Sequence, residues 1–142
     1  MNPINSYRAF LDFQRVNPGY RPRTERVGDW REVETHLSAE ELARQAARCM
    51  DCGIPFCYGA GCPLKNPIPE MNAAALENRW EDAIRLLQVT CPYPEITGRI
   101  CPALCEGSCC NAVDSDAVAI RQIEREIADR AFAGGFMKPR TR

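Results

Sequence analysis

Seven cysteines fall into two runs whose spacing suits metal chemistry. The first is Cys49-x2-Cys52-x4-Cys57-x4-Cys62-Pro63, and the second is Cys101-Pro102-x2-Cys105-x3-Cys109. Thiolates are soft, anionic ligands that suit iron in either oxidation state, and three from one loop can take three corners of a cubane. In the bacterial ferredoxin pattern, a cysteine followed by proline ligates the other cluster of a pair. Cys62-Pro63 has that form. By analogy, Cys49, Cys52 and Cys57 serve one iron–sulfur cluster and Cys62 crosses to a second. The second run then divides reciprocally, two of its cysteines joining Cys62 and one returning. Structural zinc is the rival, since zinc sites also use CxxC pairs. Zinc ribbons present two such knuckles, whereas Cys49/Cys52 is the only CxxC here. The spacing therefore favours iron–sulfur centres, and electron transfer, over a zinc-stapled interaction domain.

Two cubanes need eight ligands, and the runs supply seven. Cys91 and Cys110 are the remaining cysteines. Cys110 adjoins Cys109 and is expected to point away from whatever Cys109 binds, whereas Cys91 is sterically possible. A third candidate is Glu124. Ile120, Ile123, Ile127 and Ala131 make the apolar stripe of a helix. At about 100° per residue, Glu124 falls only ~40° from Ile120 on that stripe. A buried carboxylate must be paired or bound to metal. An ion pair with Arg99 or Arg121 therefore stands beside a ligand role, and the residues alone leave the choice open.

The elements that must position these groups read as helices and loops. With 142 residues, the chain has about the length of one domain. A net charge of −1 gives no electrostatic case for nucleic acid or an anionic membrane as partner. No apolar run approaches the ~20 residues of a membrane span, and residues 1–13 lack a secretory stretch, so a cytoplasmic location is expected. In that reducing setting nine cysteines argue for metal ligation over disulfides. Residues 1–36 read as an arm. Tyr7, Phe10, Leu11 and Phe13 form one helical turn capped by Ser6, Trp30 anchors the arm, and the lone His36 is a surface residue without partners. Ser38 to Glu41 is a capping box opening a helix that runs into Cys49. A helix starts at Ile68-Pro69 and stops at Asn78. Trp80, Ala83, Ile84 and Leu87 mark the next, completing a helical hairpin between the cysteine loops. Pro92 and Pro94 predict an extended connection. Ser115 or Asp116 caps a last helix over about 117–133, ended by Gly134-Gly135. Lys65 and Arg121 read as solvated surface. No segment alternates with period two, so the fold class is mainly α, with long cysteine-bearing loops.

Longer stretches carry a resemblance. They are Cys-Met-Asp-Cys-Gly-Ile-Pro-Phe-Cys (49–57), Cys-Pro-Leu-Lys-Asn-Pro-Ile-Pro (62–69), Pro94 to Cys109, and Ala-Ile-Arg-Gln-Ile-Glu-Arg (119–125). The arm adds Arg21-Pro22, Glu25-Arg26 and Asp29 to Glu32. Together they resemble the N-terminal iron–sulfur domain of the glutamate synthase small (beta) subunit family. Related domains occur in dihydropyrimidine dehydrogenase and other NADPH-linked flavin oxidoreductases. The resemblance implies a helical-ferredoxin-like fold with two 4Fe–4S clusters. It implies Cys49, Cys52, Cys57 and Cys109 as ligands of one, and Cys62, Cys101, Cys105 and Glu124 as ligands of the other. Cys91 and Cys110 have no role in that pattern and read as ordinary buried residues. The implied organisation is an arm (1–36), a two-cluster domain (37–135) and the start of a linker (136–142). The linker would lead to FAD- and NADPH-binding domains, and this chain has no GxGxxG fingerprint for them. In the family, NADPH reduces FAD, and the clusters pass electrons to FMN in the large (alpha) subunit, where glutamate is made. The chain is thus expected to be the electron carrier of an oxidoreductase, with no catalytic residue of its own. Its expected partners are the large subunit and its own C-terminal flavin domains.

Overall fold

Short helices joined by proline- and glycine-rich loops make up a computed structural model of the chain, which describes residues 4–137. Most of the expected linker, residues 138–142, lies outside the described residues, while Phe136 and Met137 pack on the core. The arm holds two four-residue helices, α1 (Ala9–Asp12) and α2 (Arg23–Arg26). Ser6 does not cap α1, whose N-cap is Arg8. Helix α3 (Ala39–Ala47) begins as the capping rule requires, with Ser38 Oγ accepting from the Glu41 N–H at 3.1 Å. The reciprocal half of the box is replaced, because the Glu41 carboxylate takes bonds from Arg44 and Gln45 instead.

Helix α4 (Ile68–Leu76) carries proline in its first turn, and Asn78 follows it in the left-handed region (φ 58°). Asparagine tolerates that conformation, so the chain reverses there into α5 (Trp80–Gln88). The expected extended connection is absent. Pro94 occupies the first turn of α6 (Pro94–Ile100), where a missing N–H costs nothing. A single turn, α7 (Leu104–Gly107), precedes the long α8 (Ile120–Ala133). Neither Ser115 nor Asp116 caps α8. Ser115 Oγ bonds Asn111 instead, and the Asp116 carbonyl accepts from Arg48. No strand forms among the described residues; one isolated bridge joins Tyr20 to Glu34.

The core lies where α8 crosses the other helices. Ile120, Ile123, Ile127 and Ala131 are buried on the predicted stripe, against Ile68, Met71, Ile84 and Leu87. The closest crossing is between α6 and α8. A Cβ at Gly98 would stand 2.7 Å from the Arg125 Cα, so only glycine permits the approach.

The arm is clamped to this crossing by charge. Arg125, 1% exposed, donates to Glu34 (3.0 Å) and to the Thr35 carbonyl (3.2 Å). Its other amino group donates to His36 Nε2 (2.9 Å), which leaves His36 Nδ1 to donate to Glu126 (2.5 Å). His36 is therefore a joint of the clamp and not a free surface residue. Arg121 also turns inward, to Glu34 and to the carbonyls of Gly98 and Arg99. Trp30 anchors nothing, since it is fully exposed. The turn around it is held by Arg21, which grips Asp29 with two bonds of 2.9 and 2.6 Å.

Burial opposes ionisation of Glu34. Hydrogen bonds from Arg121 and Gln122, with the charges of Arg121 and Arg125, outweigh it and hold the carboxyl below its usual range. A group with a depressed folded pKa stabilises the fold above its unfolded pKa, and the gain is lost as pH falls through the folded value. Glu34→Gln should cost about 2 kcal/mol near neutral pH by weakening bonds to a buried cation. It should also flatten the acid limb of Tm against pH. Thermal melts from neutral to strongly acid pH check both; parallel curves for the two proteins would refute the linkage.

Candidate metal centre

Each cysteine run is folded by backbone that is unusual for its residues. The Cys49–Cys52 loop turns on Asp51 (φ 49°), the segment after Cys62 on Lys65 (φ 59°), and the Cys101–Cys105 loop on Ala103 (φ 57°). Cys57 opens a π-helical turn (Cys57–Gly61) whose last residue lies against α7. There a Cβ on Gly61 would stand 2.7 Å from the Cys105 Cα, so glycine lets the two cysteine runs touch. Lys65 is exposed but not merely solvated, because its Nζ donates to the Gly59 carbonyl at 2.5 Å and closes the π turn.

The donors sort into two neighbouring cavities. The first is lined by Cys49, Cys52, Cys57 and Cys109, with Cys110, Asn72 and Asn111. The second is lined by Cys62, Cys101, Cys105 and Glu124, with Asn66 and Thr97. Ile68 lines both and forms their shared wall. Within the first, the charge of a Cys109 thiolate would bear on Cys49, Cys52 and Cys57 alike. Cys110 does not face away as expected; its thiol lies against Cys52. Among the described residues no three His, Cys, Asp or Glu side chains gather closely enough for one metal ion. The thiols line the two cavities.

Burial pushes the thiols up, Cys57 and Cys105 to about 12 and Cys52 to about 11. The same desolvation raises the Glu124 carboxyl above its usual range. Soft donors kept out of water and short of counter-charge suit a cationic iron–sulfur core, so the residues fit such a group. Glu124 makes no ion pair with Arg99 or Arg121. Arg99 is taken by Glu32 and Asp129, and Arg121 by Glu34. Thr97 Oγ1 donates to one Glu124 oxygen and Asn66 Nδ2 to the other (3.3 Å). These two bonds fix the carboxylate's direction, in the way outer partners orient metal ligands. Cys91 lies behind Thr97, its thiol 3.2 Å from the same hydroxyl, and does not line the second cavity.

Sequence reasoning missed the polar groups around the cavities: Asn66, Asn72, Thr97 and Asn111. It also missed Arg48, 1% exposed, which donates to the carbonyls of Phe13, Ala117 and Asp116 (3.0, 2.9 and 2.6 Å) and pins the arm to the segment before α8. Helical phase gives a partial signal for Asn72, one position after the buried Met71. Nothing local marks Arg48.

Residues 26–136 match the family described as dihydropyrimidine dehydrogenase domain II, 4Fe-4S cluster. The chain is 51% identical over 133 residues to the glutamate synthase [NADPH] small chain of Mycobacterium tuberculosis (strain H37Rv), covering 93% of this chain and 27% of that one. It is 44% identical over 140 residues to the Bacillus subtilis small chain, covering 93% and 28%. For Escherichia coli K12 the figures are 40% over 129 residues, 89% and 27%. The chain thus spans about a quarter of the length of these relatives. No helix among the described residues is long and apolar enough to cross a membrane.

The contact at Gly61 makes the joining of the two runs testable. Gly61→Ala should cost about 1–3 kcal/mol in chemical denaturation, as overpacking does. Gly59→Ala, whose Cβ meets nothing within 4 Å, should cost much less. Equal effects would mean that the close approach is unimportant.

Proposed function

Since this chain belongs to the family described as dihydropyrimidine dehydrogenase domain II, 4Fe-4S cluster, we propose that it carries two such clusters as the electron-transfer domain of a glutamate synthase small chain. Cys49, Cys52, Cys57 and Cys109 hold one cluster, and Cys62, Cys101, Cys105 and Glu124 hold the other. The observation that carries this reading is the sorting of the eight donors into two adjoining cavities, four to each. When bound, a 4Fe–4S cluster takes up and gives back one electron at a time.

The chain's own residues hold, orient and shelter. Cys62 and Cys109 each come from one run and serve the cavity built mainly by the other, so neither cavity is complete until both loops are docked. Ile68, 1% exposed, keeps water from the wall between them. Thr97 and Asn66 present Glu124 in one orientation. Cys110 lines the same cavity beside Cys52 and is assigned as a neighbour of the ligands.

The wider assignment rests on the relatives' names. NADPH and FAD would bind in a region beyond the stretch matched here. Electrons would pass through this domain towards the FMN of a large chain, for glutamate synthesis in the cytoplasm. The small-chain relatives, at 40–51% identity, favour this setting over another NADPH-linked flavin oxidoreductase. The family match sets the zinc-stapled alternative aside.

Anaerobically purified protein should contain two clusters' worth of iron and acid-labile sulfide. Glu124→Ala should alter the EPR signal of one reduced cluster and leave the other, and Cys110→Ser should leave both. Zinc without sulfide would sink the cluster reading. An unchanged pair of signals in Glu124→Ala would remove Glu124 from the ligand set.

A further inference from the structure

The two cavities differ in how their polar walls are satisfied. Around the second, every amide and hydroxyl is engaged: Asn66 bonds Glu124 and accepts from Thr90 Oγ1 (2.8 Å), while Thr97 bonds Glu124 and Cys91. Around the first, two asparagine amides are not. Asn72 is fully buried on α4, and neither its Nδ2 nor its Oδ1 has a hydrogen-bond partner. Asn111 is 6% exposed; its Oδ1 accepts from Ser115 (3.1 Å), but its Nδ2 has no partner. Both line the cavity with Cys49, Cys52, Cys57 and Cys109.

A buried amide without a partner costs about 1–3 kcal/mol, so two donors in one small cavity need an acceptor there. Apart from Asn72's own Oδ1, the side-chain acceptors that this cavity leaves open are the sulfurs of its cysteines. The Asn72 amide already lies near enough to Cys49 to favour the thiolate against the effect of burial.

We infer that Asn72 and Asn111 donate their side-chain N–H groups to sulfur at the first cluster and hold its reduction potential up, while the sulfurs of the second receive backbone N–H groups only, its side-chain amide being taken by Glu124 and Thr90. The inference rests on the two-cluster reading above. Reduction adds one electron and makes or breaks no bond, so the added negative charge spreads onto sulfur. An N–H donor aimed at sulfur stabilises that reduced state more than the oxidised one, and the potential rises. Both asparagines act through the ligands and are positioning residues for the potential. Glu124, held by neutral donors already bonded to it, belongs to the cavity without free amides.

The test is an EPR-monitored titration of the cluster-loaded protein with dithionite and mediators, for wild type, Asn72→Leu and Asn111→Ala. Asn72→Leu keeps the volume and removes the donor. Each variant should disfavour reduction of the first cluster about tenfold, a downward shift of about 59 mV for a one-electron couple. The second cluster should not move, and iron and sulfide content should match wild type. A merely structural role would lower cluster content or Tm and leave the potential in place. If either variant fails to load, the other still decides. Normal content with both potentials unchanged overturns the inference and leaves the two-cluster reading standing. Wild-type protein without iron and sulfide overturns both.

Discussion

Arg125 sets the terms for much of this structure. A guanidinium 1% exposed in the middle of α8 is tolerable only when most of its hydrogen-bonding groups meet acceptors and its charge meets carboxylates; here Nε makes no hydrogen bond and faces carboxylates at 3.5 and 3.8 Å. Glu34, Thr35 and His36 supply these from the arm, and Glu32 and Asp129 lie within 4 Å. The arm is thereby held in place although its own helices have four residues each. The clamp also fixes the rotation of α8. Glu124 is the preceding residue, so anchoring Arg125 on the arm side turns Glu124 towards Thr97 and the second cavity. The close crossing at Gly98 completes the placement, since it brings the Thr97 hydroxyl onto that carboxylate.

The same economy governs the cysteine loops. Two runs separated in sequence by residues 63–100 must interleave, because each cavity takes one donor from the run that mainly builds its neighbour. The hairpin of α4 and α5 lies between the runs in sequence, and Ile68 at its start lines both cavities. Gly61 lets the π turn rest on α7. None of these helices is long, and none would be stable alone. Packing on α8 holds them, so order in the loops depends on the core beneath.

Much of this was legible in the sequence, for definite reasons. The helical stripe of Ile120, Ile123 and Ile127 and the Ser38 cap obey local rules, and the structure follows them. The grouping of cysteines was readable from spacing only in part, and the resemblance supplied the rest. The failures share one cause. His36, Arg121 and Trp30 were judged by their sequence neighbours, but their surroundings are set by residues some ninety positions away or, for Trp30, by no residue at all. Pro94 was read as a breaker where a first-turn position tolerates it. Cys110 was judged from its adjacency to Cys109, whereas its thiol finds Cys52 across the cavity. The buried asparagines leave at most the partial phase signal of Asn72, since a polar side chain facing a cavity interrupts the apolar pattern that marks a core.

Backbone strain in the loops has a local purpose. Asp51 and Ala103 both occupy the left-handed region, and the N–H of each lies close to the sulfur two residues earlier. Those sulfurs are Cys49, where the bond favours the thiolate, and Cys101, at 3.4 Å. Each left-handed residue costs on the order of 1 kcal/mol, since neither is glycine. An N–H bonded to a neutral thiol returns little, because that sulfur is a weak acceptor. Bonded to a charged acceptor it returns about 1.5–3 kcal/mol. At Cys49 the bond therefore offsets the strain better against a thiolate than against a neutral thiol. In the two-cluster reading proposed above, the Asp51 loop is thus stabilised by the ionisation state that cluster binding requires.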